Sequence, residues 1–388
     1  MSNLQFGFRP GTSCTSAITV LKETIISYTK DRSNVHCAMV DLSKAFDRVN
    51  HNVLIEKFRK TTLPVQIIEI LEFMLRNTVV NVSVNDFVTD SWRVGNGTRQ
   101  GGILSPLIFN FYLNDVISEI SALNIGCSLA GVRTNIICYA DDILILAPSA
   151  SGLQKLLDIL FVRLSQLGLS VNVDKCAYMV FKAAKKPLDV CTKVFLDGKS
   201  LDRVQDFKYL GVVLSQDMML ENDIDRVTNL FLRQFNSMFY KFSFLDPDPL
   251  YFLFKNYTSS FYGIETWANS HYRKKNFNKI SVVYHKAVKR VAGLNVWESN
   301  HEACALVKAP IFRHMLASRY VSFLFSIISS SSPCLVPFKF YFKYLSRFYE
   351  VIRRIFADDY QIVNLYDNPL CAIVARIQFV QNNEPRSR

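Results

Sequence analysis

Apolar positions follow two periodicities in the first half of the chain. Spacing of three and four residues predicts helices over residues 12–30, 44–59, 64–76, 106–120 and 153–167. Runs rich in β-branched and aromatic residues predict strands at residues 35–40, 79–84, 92–94, 171–181 and 207–214. Beyond about residue 219 the pattern is helical, with Phe and Tyr on one side and Lys or Arg on the other. This order predicts an α+β domain followed by a helical domain.

Two short apolar runs, residues 135–140 and 143–147, flank a polar break at Asp141 and Asp142. Such runs predict a β-hairpin with both carboxylates at its tip. Adjacent carboxylates repel each other and need a counter-charge, most often a divalent metal ion. An ordinary polar turn is the alternative, because Asp is common in turns.

The glycine-rich stretch 95–102 predicts a close approach of the backbone to another group. Ser105 and Pro106 follow it, and Ser105 is the predicted N-cap of the next helix.

Composition and charge indicate the size of the core and the type of partner. The 388 residues are 49% hydrophobic and include 30 Phe and 17 Tyr, enough for a large core in two or three lobes. The formal net charge of +12 favours a polyanionic partner, with nucleic acid as the first candidate. A basic balance that only sets solubility is the alternative. A basic stretch at residues 272–290 suits a phosphate backbone, although an ordinary solvated helix face gives the same pattern. Its basic residues are Arg273, Lys274, Lys275, Lys279, Lys286, Lys289 and Arg290.

Cysteine usage indicates an intracellular protein. The nine cysteines show neither Cys-x-x-Cys spacing nor zinc-ligand spacing with His, and they are predicted to be reduced and mostly buried. The apolar run 321–328 is too short to span a bilayer, so we expect a core helix there and no membrane association.

A further carboxylate, Asp41, ends the predicted strand 35–40. If that strand lies beside the hairpin in one sheet, Asp41, Asp141 and Asp142 converge at one edge. Oxygen ligands of this kind, with the Leu42 carbonyl as an additional donor, suit two Mg²⁺ ions, or Mn²⁺ in their place, rather than Zn²⁺. Two such ions support phosphoryl transfer to a 3′-hydroxyl.

Six segments, taken in order, resemble the conserved blocks of non-LTR retrotransposon reverse transcriptases. These segments lie at residues 5–11 (QFGFRPG), 40–49 (VDLSKAFDRV), 98–109 (TRQGGILSPLIF), 139–142 (YADD), 168–175 (GLSVNVDK) and 209–214 (YLGVVL). The resemblance is strong over about residues 5–214 and weaker beyond them. It implies a right-hand polymerase fold in four parts. These are a residual fingers and palm helix (1–35), a palm (36–218), a helical thumb and connection (219–300) and a helical tail (301–388).

The resemblance also implies roles for individual residues. Asp41 and Asp141 would bind both metal ions, and Asp142 belongs to the same motif. Lys175 would protonate the leaving pyrophosphate or hold its charge, unless it is a solvated strand lysine. Asp47 is read as a structural or solvated acid rather than a ligand.

Substrate contacts are implied for residues of the remaining motifs. They are Phe46, Gln100, Gly101, Tyr139, Tyr209, Leu210 and Gly211. The Phe46 ring would lie under the incoming sugar and exclude a 2′-hydroxyl, and a core phenylalanine is the alternative. Gln100 and Gly101 would lie near the templating base and nucleotide, Tyr139 near the primer end, and residues 209–211 would form the primer grip.

The expected function is RNA-directed DNA polymerisation, with an RNA template, a DNA primer and deoxynucleoside triphosphates as partners. The expected setting is an intracellular ribonucleoprotein in the nucleus, the cytoplasm or both, and the oligomeric state is left open. The family carries more fingers sequence before residues 5–11, so an inactive remnant that still binds nucleic acid is the alternative. A nucleotidyl cyclase would leave residues 98–106 and 209–214 unexplained.

Overall fold

The computed structural model describes residues 1–99, 101–183, 192–269 and 274–330, together with Leu335. The chain divides into two compact units, the first formed by Met1–Gln205 and the second beginning at Asp206. The four-part division expected from the sequence stays a prediction.

The first unit mixes helices with short strands. Its α-helices are α1 (Cys14–Lys30), α2 (His51–Arg59), α3 (Val65–Arg76), α4 (Ser105–Ala122) and α5 (Ala150–Gln166). Its strands are β1 (Val35–Val40), β2 (Leu42–Ser43), β3 (Val79–Val80), β4 (Ser83–Val84), β5 (Phe87–Val88), β6 (Trp92–Arg93), β7 (Ser128–Leu129), β8 (Val132–Arg133), β9 (Ile136–Tyr139), β10 (Asp142–Ala147), β11 (Ser170–Val171), β12 (Ala177–Phe181), β13 (Phe195–Leu196), β14 (Lys199–Ser200) and β15 (Asp202–Arg203). The segments Ala45–Arg48 and Val173–Lys175 form 3₁₀ turns.

One five-stranded sheet organises this unit, in the order β15-β12-β1-β10-β9. Its pairs are antiparallel except β12 with β15. The strand that precedes Asp41 lies beside the hairpin strand β10, with Val40 opposite Ile143. Apart from the half-buried Met39, the apolar side chains of β1 and β10 are buried because both strands lie inside the sheet.

Helix α5 covers the sheet with one leucine-rich face. Its Leu side chains at three- and four-residue spacing are completely buried and belong to the main core, namely Leu153, Leu156, Leu157, Leu160 and Leu164. Burial of each contributes roughly 1.5–3 kcal/mol. The Ser149 hydroxyl accepts the Gly152 N–H at 3.1 Å and caps the start of the helix. The leucine face of α5 therefore packs against the sheet that carries the β9–β10 hairpin.

Four predicted elements of the first unit need correction. The expected strand 79–84 is two short strands, β3 and β4, which pair with β6 and β5 respectively. The expected helix 44–59 is a 3₁₀ turn followed by α2, because Val49 and Asn50 have extended backbone and the Asn50 side chain caps a new helix. The expected strand 171–181 is broken by the turn Val173–Lys175, so Lys175 is not a strand residue. Ser105 is not the N-cap of α4, because its hydroxyl donates to the Arg99 carbonyl instead.

The second unit joins a hairpin to helices. Its strands are β16 (Asp206–Tyr209) and β17 (Val212–Ser215), so the single strand expected over 207–214 is wrong. The chain reverses there because Leu210 and Gly211 both have positive φ. The helices are α6 (Glu221–Phe242), α7 (Pro247–Tyr257), α8 (Lys274–Val291), α9 (Asn300–Leu306) and α10 (Phe312–Ser329).

Aromatic rings form the centre of the second unit. Phe231 stacks on Phe261 with ring centroids 5.1 Å apart, and Phe254 contacts Phe231 edge-on at 6.0 Å. Tyr284 and Phe312 extend the cluster at 5.5 Å from each other. These rings therefore form the packed side of the helices, whereas other aromatic residues such as Tyr240, Phe252 and Tyr257 are exposed. None of the helices in the described part of the chain has the length and apolarity needed to cross a membrane.

Candidate active site

Three carboxylates meet at one end of the central strands. Asp41 directly follows β1, and the register of β1 with β10, continued by one residue, places it opposite Asp142. Asp142 begins β10 and pairs with Tyr139, so Asp141 occupies the hairpin turn itself. Asp41 and Asp141 are half-buried and Asp142 is exposed. The sheet thus brings together two segments that are about a hundred residues apart in the sequence.

Burial, and after it mutual repulsion, raises the pKa of two carboxylates of this cluster. Partial loss of hydration, followed by the charges of Asp141 and Asp41, raises the pKa of Asp142 to about 6. The pKa of Asp141 is also raised, first by burial and further by Asp41, although a hydrogen bond from its own backbone opposes the shift. Within the described residues, Asp41, Asp141 and Asp142 form no ion pair. The site therefore favours an added cation.

The donor chemistry fits a hard divalent cation. The donors are carboxylate oxygens, which Mg²⁺ prefers, and Mg²⁺ commonly keeps water or phosphate oxygens among its six ligands. No three His, Cys, Asp or Glu side chains in the described part of the chain are arranged to hold a metal ion by themselves. A bound cation would therefore draw part of its coordination from groups other than these side chains.

The backbone around Asp41 is held by a short segment between α5 and β12. The Asn172 N–H donates to the Asp41 carbonyl at 2.9 Å, and the Asp41 N–H donates to Cys176 Sγ at 3.4 Å. Successive carbonyls alternate in direction along a strand, so the Leu42 carbonyl points away from β11. That orientation leaves this carbonyl available as the backbone ligand expected from the sequence.

The hairpin turn contains a residue with an unfavourable backbone conformation. Ala140 has a φ of 54°, in the left-handed region that L-residues other than Asn and Asp rarely occupy. Tyr139, half-buried beside it, lies 6.2 Å from the Phe8 ring between centroids. Burial, and next the neighbouring Cys14 thiol, raises the pKa of Tyr139 to about 12, so the phenol stays protonated.

Phe46 connects the carboxylate strand to the glycine-rich segment. Its half-buried ring stacks on Phe109 with centroids 4.6 Å apart, and its carbonyl accepts the Thr98 N–H at 2.8 Å. Gly97 lies so close to the same turn that a Cβ there would stand 2.8 Å from the Asp47 carbonyl oxygen. The glycine at this position is therefore required by a close backbone approach within the protein.

Gly101, in contrast to Gly97, has open surroundings. It is exposed at a φ of 75°, and a Cβ built on it would meet nothing within 4 Å. Such open space beside a backbone suits the approach of a substrate. Gln100 lies outside the described residues.

Lys175 ends the turn Val173–Lys175 and its side chain is exposed. Its backbone N–H donates to the Asn172 carbonyl at 3.0 Å, so the lysine belongs to the same segment that holds Asp41. Its proposed role in proton transfer stays a prediction.

The predicted primer grip lies in the second unit, at the turn between β16 and β17. The Tyr209 side chain is 1% exposed and packs inside the unit, whereas Leu210 and Gly211 are half-buried. Tyr262 covers this turn: its hydroxyl donates to the Leu210 carbonyl at 2.8 Å. A Cβ on Gly211 would stand 2.9 Å from the Tyr262 ring. Any nucleic acid contact here would therefore use the turn backbone rather than the Tyr209 ring.

Several basic residues of the 272–290 stretch have partners within the protein. Lys279 pairs with Asp225, Lys289 is buried and donates to the Val296 carbonyl at 2.8 Å, and the Arg290 guanidinium lies 4.2 Å from the Phe239 ring centroid. Arg273 lies outside the described residues. Lys286 is exposed, and it remains a candidate for a phosphate contact. Contacts within the protein therefore engage Lys279, Lys289 and Arg290.

Sequence reasoning missed residues that hold the site without touching a substrate. Gln5 and Gly7 contact the hairpin turn, and Asn172 and Cys176 bind the Asp41 backbone. Gln5 and Gly7 stand within a recognised block, but nothing in the spacing of that block indicates a contact with residues 139–142. The cysteines of the described part are free thiols, and all but the half-buried Cys14 are buried.

A carboxylate cluster at a hairpin tip, set in a mostly antiparallel sheet of an α+β unit, is consistent with the polymerase class of nucleotidyltransferase. The family model described as "Reverse transcriptase (RNA-dependent DNA polymerase)" matches residues 1–214. The chain belongs to the reverse transcriptase family, whose members depend in general on divalent metal ions.

Relatives of the chain are retrotransposon polymerases, which confirms the resemblance noted from the motifs. The chain is 28% identical over 216 residues to the Pol polyprotein of the type-2 retrotransposable element R2DM of Drosophila melanogaster, covering 54% of this chain and 20% of that protein. It is 24% identical over 300 residues to the RNA-directed DNA polymerase of the mobile element jockey of the same species, covering 74% and 32%. The chain thus spans a fifth to a third of these relatives.

Among solved structures, the chain is similar to the apo telomerase of Candida tropicalis. The identity is 14% and the TM-score is 0.43, with 89% of this chain and 55% of that chain covered.

Proposed function

We propose that this chain is the polymerising part of a retrotransposon reverse transcriptase and extends a DNA 3′-hydroxyl on an RNA template. The observation that carries the proposal is the meeting of Asp41, Asp141 and Asp142 at one sheet edge. Because residues 1–214 belong to the reverse transcriptase family, we interpret this cluster as the metal-binding site of a polymerase. The proposed setting is an intracellular ribonucleoprotein.

Asp41 and Asp141 are the proposed metal ligands, with Asp142 beside them and the Leu42 carbonyl as a backbone donor. Two Mg²⁺ ions, or Mn²⁺ in their place, would lower the pKa of the primer 3′-hydroxyl and stabilise charge on the leaving pyrophosphate. The carboxylates hold their places because the sheet register and the Asn172 and Cys176 contacts hold the backbone of Asp41. Positioning of this kind supplies much of the rate in phosphoryl transfer.

Selection of deoxynucleotides is assigned to Phe46. Its ring is stacked on Phe109 and its carbonyl is bound by Thr98, so the side chain has little freedom to move aside for a 2′-hydroxyl. Gly101, with open space at its Cα, is the proposed point where the nucleotide or templating base approaches. Gln100 is proposed to act beside it. Tyr139 is the proposed contact for the primer end.

Lys175 is the proposed donor of a proton, or of positive charge, to the leaving pyrophosphate. Its exposure leaves the ammonium group accessible to such a ligand. Tyr209, Leu210 and Gly211 are the proposed primer grip, with the backbone of the turn as the contact surface.

A primer-extension assay tests the proposal. Wild-type chain receives a primed RNA template, Mg²⁺ and deoxynucleoside triphosphates, beside Asp141→Asn and the matched control Asp47→Asn. Asp47 is exposed and lies outside the cluster, so its variant removes the same charge without touching the proposed ligands. We expect extension by the wild type and by Asp47→Asn, and none above background by Asp141→Asn.

The alternative is a chain that binds nucleic acid without polymerising. Fluorescence anisotropy with the same labelled primer-template separates the two. Equal extension by wild type and Asp141→Asn, or tight binding without any extension by the wild type, would contradict the polymerase proposal.

A further inference from the structure

The Gln5 side chain makes an unusual set of contacts with the active-site turn. Its Oε1 accepts the Ala140 N–H at 2.9 Å, and its Nε2 donates to the Ala140 carbonyl at 3.4 Å. One side-chain amide thus binds both backbone polar groups of the residue before Asp141. Gln5 is only 1% exposed, so these bonds are shielded from competing water.

The residue that Gln5 holds is the strained one. Ala140 has a φ of 54°, and its Cβ disfavours this conformation. Because Ala140 immediately precedes Asp141, a change in its backbone angles would redirect the Asp141 carboxylate. Gln5 binds the Ala140 N–H on one side of this Cα and the Ala140 carbonyl on the other. These two hydrogen bonds are therefore placed where they control the hairpin tip.

Gln5 is itself held in a defined position. The Phe6 N–H donates to the Cys138 carbonyl at 2.8 Å, and the Cys138 N–H donates to the Leu4 carbonyl at 2.8 Å, so residues 4–6 pair with β9. The Gly7 N–H donates to Gln5 Oε1 at 3.0 Å. These bonds make Gln5 part of a short added strand rather than of a loose terminal segment.

Gly7 brings this segment against the turn. A Cβ at Gly7 would stand 2.5 Å from the Ala140 nitrogen, closer than packing allows. The buried Asn110 side chain of α4 donates to the Gly7 carbonyl at 2.7 Å and secures the approach from the other side. The contact is therefore built by three elements, and only glycine fits at its centre.

We propose that Gln5 is a positioning residue for the reaction, which holds Ala140 in the left-handed conformation and thereby aims Asp141 and Asp142. It acts through the turn and touches neither substrate nor metal. This inference rests on the proposed function for its catalytic consequence, but the contact with the turn is measurable without turnover.

The test compares two isosteric substitutions in the full chain. Gln5→Met keeps the volume of the side chain and removes its hydrogen bonds to Ala140. Asn135→Leu does the same at the far end of the hairpin, where the buried Asn135 amide donates to the Ile120 and Ile125 carbonyls. Gly7→Ala is a second variant that disturbs the turn without removing the Gln5 amide.

The first readout is amide hydrogen exchange at Ala140. Gln5→Met should speed this exchange about tenfold, as expected for one lost buried hydrogen bond, and Gly7→Ala should act in the same direction. Asn135→Leu should leave the exchange at Ala140 unchanged. Unchanged exchange in both Gln5→Met and Gly7→Ala would overturn the proposal.

The second readout is primer extension. Gln5→Met should lower kcat roughly 10- to 100-fold while KM for the primer-template stays within about twofold, because misplacement affects the chemical step. Asn135→Leu should keep kcat within about twofold of wild type. An equal loss of kcat in both variants, or a loss confined to KM, would contradict the positioning role. If the wild type does not extend a primer while Ala140 exchange still responds to Gln5→Met, the proposed function fails and the hold on the turn stands.

Discussion

Two hairpin turns carry most of the predicted functional residues outside Asp41, one in each unit. The β9–β10 turn has Ala140 and Asp141 at its centre, with Ala140 at a φ of 54°. The β16–β17 turn has Leu210 and Gly211, at 44° and 81°. Positive φ at both central residues is typical of a type I′ hairpin, and the second position favours glycine. The first turn differs: among its two central residues only Ala140 has positive φ, at the position where a type II′ turn favours glycine, and the carboxylate residue Asp141 follows it.

The two turns differ in what holds them. The Gln5 amide, from a distant part of the sequence, binds the Ala140 N–H and carbonyl. In the second turn Gly211 takes its positive φ without strain, Leu210 takes one without being glycine, and Tyr262 covers the backbone with its ring and a hydrogen bond to the Leu210 carbonyl. A turn that must present a functional side chain at its tip therefore takes its support from elsewhere in the chain. A turn that presents its backbone can use glycine.

Gly211→Ala should give the largest effect on stability among the changes at the second turn. The new Cβ would meet the Tyr262 ring at 2.9 Å and would also be strained at a φ of 81°. We expect a loss of about 2–3 kcal/mol in the free energy of unfolding, measured by urea denaturation. Gly293→Ala is the control, because its φ is 71° and a Cβ there meets nothing within 4 Å. Equal losses in the two variants would show that Tyr262 does not restrain the turn.

Tyr262→Phe should give a smaller effect. It removes the hydroxyl that donates to the Leu210 carbonyl and keeps the ring over Gly211. We expect a loss of about 0.5–1.5 kcal/mol, with a higher KM for primer-template and an unchanged kcat. This outcome would contrast with the kcat defect predicted for Gln5→Met. A fall in kcat at constant KM would contradict the distinction between the two turns.

Because solvent screens the exposed Asp142 carboxylate, this residue should contribute the smallest effect, a change of stability with pH. Its pKa is raised from the ordinary 3.8 to about 6, so the folded state binds a proton more tightly than the unfolded state. Without metal, the free energy of unfolding should therefore fall as the pH rises from about 4 to 6, and Asp142→Asn should lack this component. Thermal denaturation across that range measures the difference. Identical pH profiles for wild type and Asp142→Asn would rule out the raised pKa.

Sequence patterns predicted the parts of the fold that depend on local periodicity. The leucine spacing of α5, the strand before Asp41 and the hairpin around Asp141 follow directly from residue order, and the structure has each of them. Local propensity failed where a few backbone angles decide the outcome. Extended backbone at Val49 and Asn50 divides the expected helix 44–59, and positive φ at Leu210 divides the expected strand 207–214.

The candidate site could be predicted only in part for a similar reason. Carboxylates carry a chemical signal in their own type and spacing, so Asp41, Asp141 and Asp142 were selected as candidates. Gln5 and Cys176 act through backbone atoms of other segments, and such contacts leave no periodicity or spacing in the sequence. These contacts are evident only in the structure, where the sheet register places the segments side by side.

The central claim is that the carboxylates at the β9–β10 turn and Asp41 form a divalent metal site, and Mn²⁺ binding tests it most directly. Electron paramagnetic resonance at neutral pH would follow free Mn²⁺ during titration into wild type, Asp141→Asn and Asp47→Asn, with primer-template and a non-reactive deoxynucleotide analogue present. We predict that wild type and Asp47→Asn bind Mn²⁺ with equal affinity and that Asp141→Asn binds at least about tenfold more weakly. Equal Mn²⁺ binding by all three proteins would contradict the claim.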